Sequence, residues 1–250
     1  MCTLIVSFQQ HPEVPVVVAA NRDEVRSRPA TGPRRWPLEP FVAPRDERAL
    51  GTWLGLTASG LFVGVTNRFP AERHVERRSR GALVVEALRS ESASALHHRL
   101  AGLDPLQYNA FHLLYADATA AFVTWSDGEV LSQKALEPGL HVVTERSLGG
   151  DDRSRQGLVF ELWPRLPLAQ GVPTAEGLFG LLATSRVDDP VGGVCVDVPL
   201  WDYGTRSSLV LFLNRRLSQS RFFWADGPPD RTPFVERADL VASLSQPPEG

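Results

Sequence analysis

The first twenty-four residues constrain this chain more than any other segment. Thr3 to Phe8 is β-branched and apolar, Val14 to Ala20 is a second apolar run, and the His11-Pro12 region between them carries turn chemistry. Strands over 3–8 and 14–21 joined as a hairpin are the expectation. The second run stops abruptly in Asn21-Arg22-Asp23-Glu24. Strand ends are where sites are usually built. Side chains alternate along a strand, so Asn21 and Asp23 face one way and Arg22 and Glu24 the other, and one pair is free to face a pocket. The plainer alternative is a solvated strand end holding an internal Arg22 and Asp23 ion pair.

The chain opens Met1-Cys2. Removal of an initiator methionine would leave Cys2 with a free α-amine, and a small second residue permits that removal. An unperturbed thiol titrates near about 8.5 and an α-amine near about 7.7 to 8, so proton transfer between them is nearly thermoneutral. Nucleophile and base then reside on one residue, and no histidine is required. The alternative use of Cys2 is as a small hydrophobe starting a buried strand.

Met-Cys at the start and Ala-Asn-Arg-Asp-Glu at 20–24 resemble the NRDE family, proteins of the transport-and-Golgi-organisation type. Further matches follow in the family's order: Ser27-Arg28-Pro29, Gly51-Thr52-Trp53-Leu54-Gly55, Val65-Thr66-Asn67, Ser79-Arg80-Gly81, Tyr108-Asn109-Ala110-Phe111 and Tyr203-Gly204-Thr205-Arg206-Ser207. The resemblance implies an α+β fold of the N-terminal-nucleophile (Ntn) hydrolase type, a four-layer αββα sandwich of two antiparallel sheets. It also implies kinship with cysteine hydrolases of the penicillin V acylase and bile-salt hydrolase type. By that resemblance Cys2 is the nucleophile, Asp23 orients its amine, Asn67 donates to an oxyanion and Arg22 lowers the thiol pKa. Asn21, Trp53, Arg206 and Glu145 join as binding residues, Arg206 as a second cation. Two positions depart from the hydrolase pattern. Ala20 stands where those enzymes carry an arginine, so Arg22 must supply the charge. Glu145, in Val143-Thr144-Glu145, stands where a second asparagine is expected, and an ionised carboxylate cannot donate a hydrogen bond.

Two functions follow from the resemblance. One is an amide hydrolase or acyltransferase acting on a small-molecule amide or acyl bond, without cofactor or metal. The other, motivated by Glu145, is a carrier on the same fold that binds haem or an acyl-CoA-type lipid. A homodimer is compatible with either.

At 250 residues and 43% apolar content, the chain can bury a large core, and residues 1–250 are expected to form a single domain. With 26 basic and 29 acidic residues, the net charge of -3 favours neither nucleic acid nor an anionic membrane as partner. No apolar run approaches the roughly 18 residues a membrane helix needs. Without a basic n-region, and with Gln9-Gln10-His11 breaking the first apolar run, the N-terminus does not read as a signal peptide, so the expected location is cytoplasmic. Cys2 and Cys195 form neither a disulfide framework nor a metal cluster.

Residues 26–48 contain Pro29, Pro33, Pro37, Pro40 and Pro44 among arginines and read as a long ordered loop beside Asp23. A hairpin turns at Thr57-Ala58-Ser59-Gly60, and its second strand ends at Asn67. The charged run 73–80 reads as a solvated segment, and the pattern from Leu83 to Leu100 as a packing helix. His97 and His98 lack the spacing of a helical metal pair. A meander over 111–133, a strand at 140–144, helices near 156–164 and 174–184, and strands at 207–213 and 220–224 follow. The tail beyond Pro228 is expected to dock loosely.

Overall fold

The computed structural model describes residues 2–69, 71–72, 74–149 and 154–246. Met1, Arg73 in the charged run, and the end of the tail lie outside these. In chain order the strands and helices are β1 (Cys2–Phe8), β2 (Val16–Val25), β3 (Ala30–Arg35), β4 (Phe41–Asp46), β5 (Leu54–Thr57), β6 (Phe62–Asn67), α1 (Arg80–Ala87) and α2 (Ala93–Leu100). Then come β7 (Phe111–Ala116), β8 (Ala121–Ser126), β9 (Leu131–Ala135), β10 (Gly139–Val143), α3 (Ser154–Leu162), β11 (Leu168–Ala169), β12 (Val172–Pro173) and α4 (Ala175–Leu182). The chain closes with β13 (Asp197–Val198), β14 (Tyr203–Leu213), β15 (Arg221–Ala225), β16 (Val235–Glu236) and α5 (Ala238–Leu244).

Two seven-stranded antiparallel sheets result. The first runs β10-β1-β2-β14-β15-β16 with β13 paired to β14, and the second runs β3 to β9 in sequence order. Period-two alternation in the first hairpin separates two cores. Leu4, Val6, Phe8, Val16, Val18 and Ala20 point between the sheets. Ile5, Val17 and Ala19 point outward, where they meet Val159 of α3 and Leu178, Leu181 and Leu182 of α4. On the far side, α1 covers the second sheet: Leu83, Val84 and Ala87 are buried in the main core, and the C-cap residue Leu88 packs against Gly55 of β5, where a Cβ would lie 2.6 Å from its Cδ1. The order helix, sheet, sheet, helix is the four-layer αββα sandwich that the sequence implied. No helix among the described residues is long and apolar enough to cross a membrane.

Three expectations are corrected. Residues 26–48 are not a loop but contain β3 and β4. Their prolines are tolerated because Pro33 falls in a register irregularity between Thr31 and Arg34, and β4 pairs with β5 only at Phe41 and Val42, short of Pro44. The helix over 83–100 is two helices. Ser92 starts the second by accepting from Ala95 N–H, and Asp117 accepts from Ala93 N–H, so the backbone turns there. Over its described part the tail after Pro228 does not dock loosely: it contains α5, which buries Leu240, Val241 and Leu244 in the main core.

Candidate functional site

The hairpin register decides what can meet. Cys2 lies opposite Arg22, and Thr3 lies opposite Asn21. Because Cys2 and Arg22 are directly paired, their side chains share a face, the one that Leu4 and Ala20 turn between the sheets. There the strand ends open into a cleft of about 360 Å³. Cys2, Arg22, Asp23, Trp53 and Asn67 line it together, joined by Glu24, Arg28, Asp46 and the segment from His74 to Gly81.

Arg22 is only 5% exposed. Its Nη2 donates to Asp46 Oδ2 at 2.9 Å, and its guanidinium carbon lies 4.1 Å from the centre of the Trp53 ring. Stacking and ion pair together fix the plane of the group. Its Nη1 is buried and has no hydrogen-bond partner, and neither has Trp53 Nε1. Asp46 is the second anchor of this wall. It also accepts from Arg28 Nε at 2.6 Å and from the N–H groups of Arg48 and Ala49. Burial pushes the Asp46 carboxyl up, but the Arg28 hydrogen bond and the backbone donors outweigh it and hold the group below the usual carboxylate range.

Asp23 contributes to the cleft, but its carboxylate turns the other way. Oδ1 accepts from Thr205 Oγ1 at 2.7 Å and Oδ2 lies 3.4 Å from Arg155 Nη1. Burial raises the Asp23 pKa against the pull of Arg155. The Cys2 thiol is likewise pushed up by burial, and Arg22 and the Asp23 backbone N–H work against that rise. Asn67, at the exposed end of β6, reaches the cleft from the second sheet.

The remaining expected site residues lie apart. Asn21 serves the outer layer: Nδ2 donates to the carbonyls of Leu182 and Val194, both at 2.9 Å, and Oδ1 accepts from Ser208 Oγ. Arg206 is the extra residue of a bulge in β14 between Thr205 and Ser207, away from the cleft lining. Glu145 is also outside the lining, with Oε2 3.5 Å from Arg155 Nη1.

Sequence reasoning missed Arg155, Asp46 and the mouth. Arg155 is buried and donates to Thr3 Oγ1 at 3.0 Å, so it underpins the strand that carries Cys2. Its signal was present as a charge at i on a helix whose i+4 position, Val159, is core. Asp46 lay in the stretch read as a loop. The run 73–80, read as solvated, is built into the cleft over its described part. Asn109 accepts from the His74 N–H and donates back to its carbonyl, and Arg78 N–H donates to Gln107 O. Glycines of two sequence motifs meet at this wall. A Cβ on Gly51 would lie 2.5 Å from the Gly81 carbonyl carbon, so the backbones touch only because neither residue has a side chain.

Two stacked antiparallel sheets, flanked by helices and carrying a cysteine at the first strand's outer end, define an Ntn-hydrolase-like fold. Solved structures agree. The N-acylethanolamine-hydrolyzing acid amidase ortholog of Caenorhabditis elegans superposes with a TM-score of 0.55 over 84% of this chain and 92% of its own, at 13% identity. Penicillin V acylase from Agrobacterium tumefaciens gives 0.51 over 98% and 88%, at 14% identity. Conjugated bile acid hydrolase from Clostridium perfringens, as its C2A mutant, gives 0.51 over 98% and 94%, at 11% identity. At these identities the likeness is one of fold. Residues 1–170 match the profile of the Transport and Golgi organisation 2 family, to which the chain belongs. The Bos taurus Transport and Golgi organization protein 2 homolog is 30% identical over 247 residues, covering 86% of this chain and 89% of its own, and the Homo sapiens homolog is 28% identical over 129 residues, 48% and 47% of the two chains.

Proposed function

We propose that this protein is an N-terminal cysteine amide hydrolase or acyltransferase, with Cys2 as nucleophile once Met1 has been removed. The observation that carries the reading is the convergence of Cys2, Arg22, Asp23 and Asn67 on one cleft. The fold neighbours are named as an amidase, an acylase and a hydrolase, which supports it.

The chemistry follows from the donors and acceptors. The Cys2 amine takes the thiol proton, and the sulphur attacks the carbonyl carbon of a linear amide. Asn67 Nδ2 and the unpartnered Arg22 Nη1 donate to the oxygen as it gains charge, a role Glu145 does not fill. The C–N bond breaks, the amine leaves with the proton from the Cys2 ammonium, and the acyl group stays on sulphur as a thioester. Water, or an acceptor nucleophile in the transferase case, then releases it. Asp23 is one residue beyond Cys2's cross-strand partner, and its carboxylate, held by Thr205 and Arg155, acts on the amine through its charge. Removing Met1 also puts a charge-bearing amine beside a thiol that burial otherwise holds protonated.

Intact mass before and after iodoacetamide at neutral pH tests the premise. The expected result is loss of Met1 and rapid single alkylation at Cys2, followed by an acyl adduct from an activated amide panel that Cys2→Ala abolishes. Turnover that survives Cys2→Ala ends this mechanism.

The carrier reading draws on one observation, that Glu145 is engaged with Arg155 and supplies no oxyanion donor. Retention of Met1 in fully expressed protein, with a saturable Soret shift on haem titration, would move the assignment there. The lining favours the enzyme. Its members are mainly arginines, carboxylates and small polar residues, with Trp53, Val65 and Val75 as the main apolar ones. That surface suits a compact polar amide better than an apolar macrocycle.

A further inference from the structure

Five arginines and three carboxylates line the cleft of a chain whose net charge is -3. The carboxylates are already answered. Asp46 is held by Arg22 and Arg28, Glu24 lies 3.8 Å from Arg22 and 3.9 Å from Arg28, and Asp23 faces Arg155. The positive excess therefore sits on the mouth segment, at Arg77, Arg78 and Arg80. Of these, Arg78 pairs with Glu86, and Arg80 Nη1 donates to Ala110 O at 3.0 Å.

Arg77 is different. Its Nη1 donates to two main-chain carbonyls, Tyr108 at 3.1 Å and Gly128 at 2.9 Å, and it has no carboxylate partner among the described residues. The Gly128 φ of +102° favours glycine at this turn, and a Cβ there would lie 2.6 Å from the Arg77 nitrogen, so the guanidinium sits close over the turn backbone. Among the described residues no hydrogen bond engages its Nε or Nη2, the edge that grips a carboxylate with two parallel hydrogen bonds. The Asn109 and His74 pairing holds the same segment from its other end, so the cation is fixed before a ligand arrives.

We infer that the cleft selects an anionic ligand, an amide whose distal end carries a carboxylate, and that Arg77 reads that group at the mouth. The inference names the substrate class of the proposed hydrolase and rests on that reading for the bond that is cut, but ligand selection is measurable without turnover. The probes are N-butanoyl-4-aminobenzoate and its uncharged twin N-butanoylaniline, titrated calorimetrically into Cys2→Ser protein in low salt. The aminobenzoate should bind about tenfold or more tightly than the anilide, with the advantage shrinking as salt is added. Arg77→Gln should erase most of that advantage while leaving the anilide unchanged, and Arg77→Lys, which keeps the charge but not the fork, should retain part of it.

Equal affinity for the two probes, no binding of the aminobenzoate, or an Arg77→Gln loss shared by both, overturns the inference. Selective binding of the aminobenzoate without hydrolysis by the wild-type protein would remove the hydrolase and leave this inference standing. Hydrolysis of both probes at equal kcat/KM would do the reverse.

Discussion

Arg155 sets the electrostatics beneath Cys2. Asp23 is 1% exposed and Glu145 7%, and both carboxylates lie within 4 Å of its Nη1. Two buried acids without a cation between them would repel each other and lack solvation, which costs far more than the intact group returns. Arg155→Met should therefore destabilise the protein by about 3 to 5 kcal/mol at pH 7, read from urea unfolding. The sign with pH is fixed by Asp23, whose pKa burial already raises. A carboxyl with a folded pKa above its unfolded one contributes most to stability at low pH and loses that contribution as pH rises through the folded value. Without Arg155 the folded value rises further, so the deficit of the variant should narrow as pH falls from 7 towards 5. A deficit that is flat across that range would mean that Arg155 acts by packing and not by charge.

At the scale of elements, a small polar network ties β6 and β7 to the turn after β10. Thr66 Oγ1 lies 3.1 Å from His112 Nδ1 and within 3.4 Å of Thr144 O, and His112 Nε2 donates to Ser147 O at 2.9 Å. Ser147 Oγ in turn accepts from Thr144 N–H and from Gln156 of α3. Burial, with the Arg68 cation nearby, favours the neutral ring and lowers the His112 pKa to about 4. The unfolded value is about 6.5, so stability is complete above that pH and is lost as pH falls towards the folded value. Between pH 7.5 and 4 the wild-type protein should lose about 3 kcal/mol more than His112→Gln, and equal losses would refute the assignment. Glycine contacts at this scale separate two kinds of crowding. Gly51→Ala drives a methyl into the Gly81 backbone at 2.5 Å, whereas Gly64→Ala meets only the Leu4 and Phe62 side chains at 3.1 to 3.2 Å. Side-chain ends move and backbone does not, so Gly51→Ala should lower Tm clearly more, with overpacking costs of about 1 to 3 kcal/mol as the scale.

For the whole molecule, what the sequence made legible was what local pattern encodes. Alternation in residues 3–8 and 14–20 specified the hairpin and the two cores, and turn residues at 57–60 specified the next one. The four residues Cys2, Arg22, Asp23 and Asn67 were placed at strand ends, and those ends share a cleft. Long-range partnership was not legible. Nothing near Asp23 in sequence announces Arg155, 132 residues away, and the prolines of 29–44 concealed two strands because their tolerance depends on which neighbour each strand pairs with. The tail failed for the same reason: mixed polarity hid a helix whose apolar face is defined only by the surface it meets. That face now makes a prediction. Leu240, Val241 and Leu244 are each at most 4% exposed, and the helix is tied down where Arg35 Nη1 donates to Ser243 O at 3.0 Å and Arg237 N–H to Phe222 O at 2.7 Å. Leu240→Ala should lose about 2 to 4 kcal/mol in denaturant unfolding, the range of a core truncation. Ser245→Ala, on the exposed side one residue past the helix, should stay within about 0.5 kcal/mol. If both substitutions were neutral, α5 would be an appendage, and the sandwich would close without it; a large loss confined to Leu240 makes the C-terminal helix part of the core that holds the two sheets in place behind the cleft.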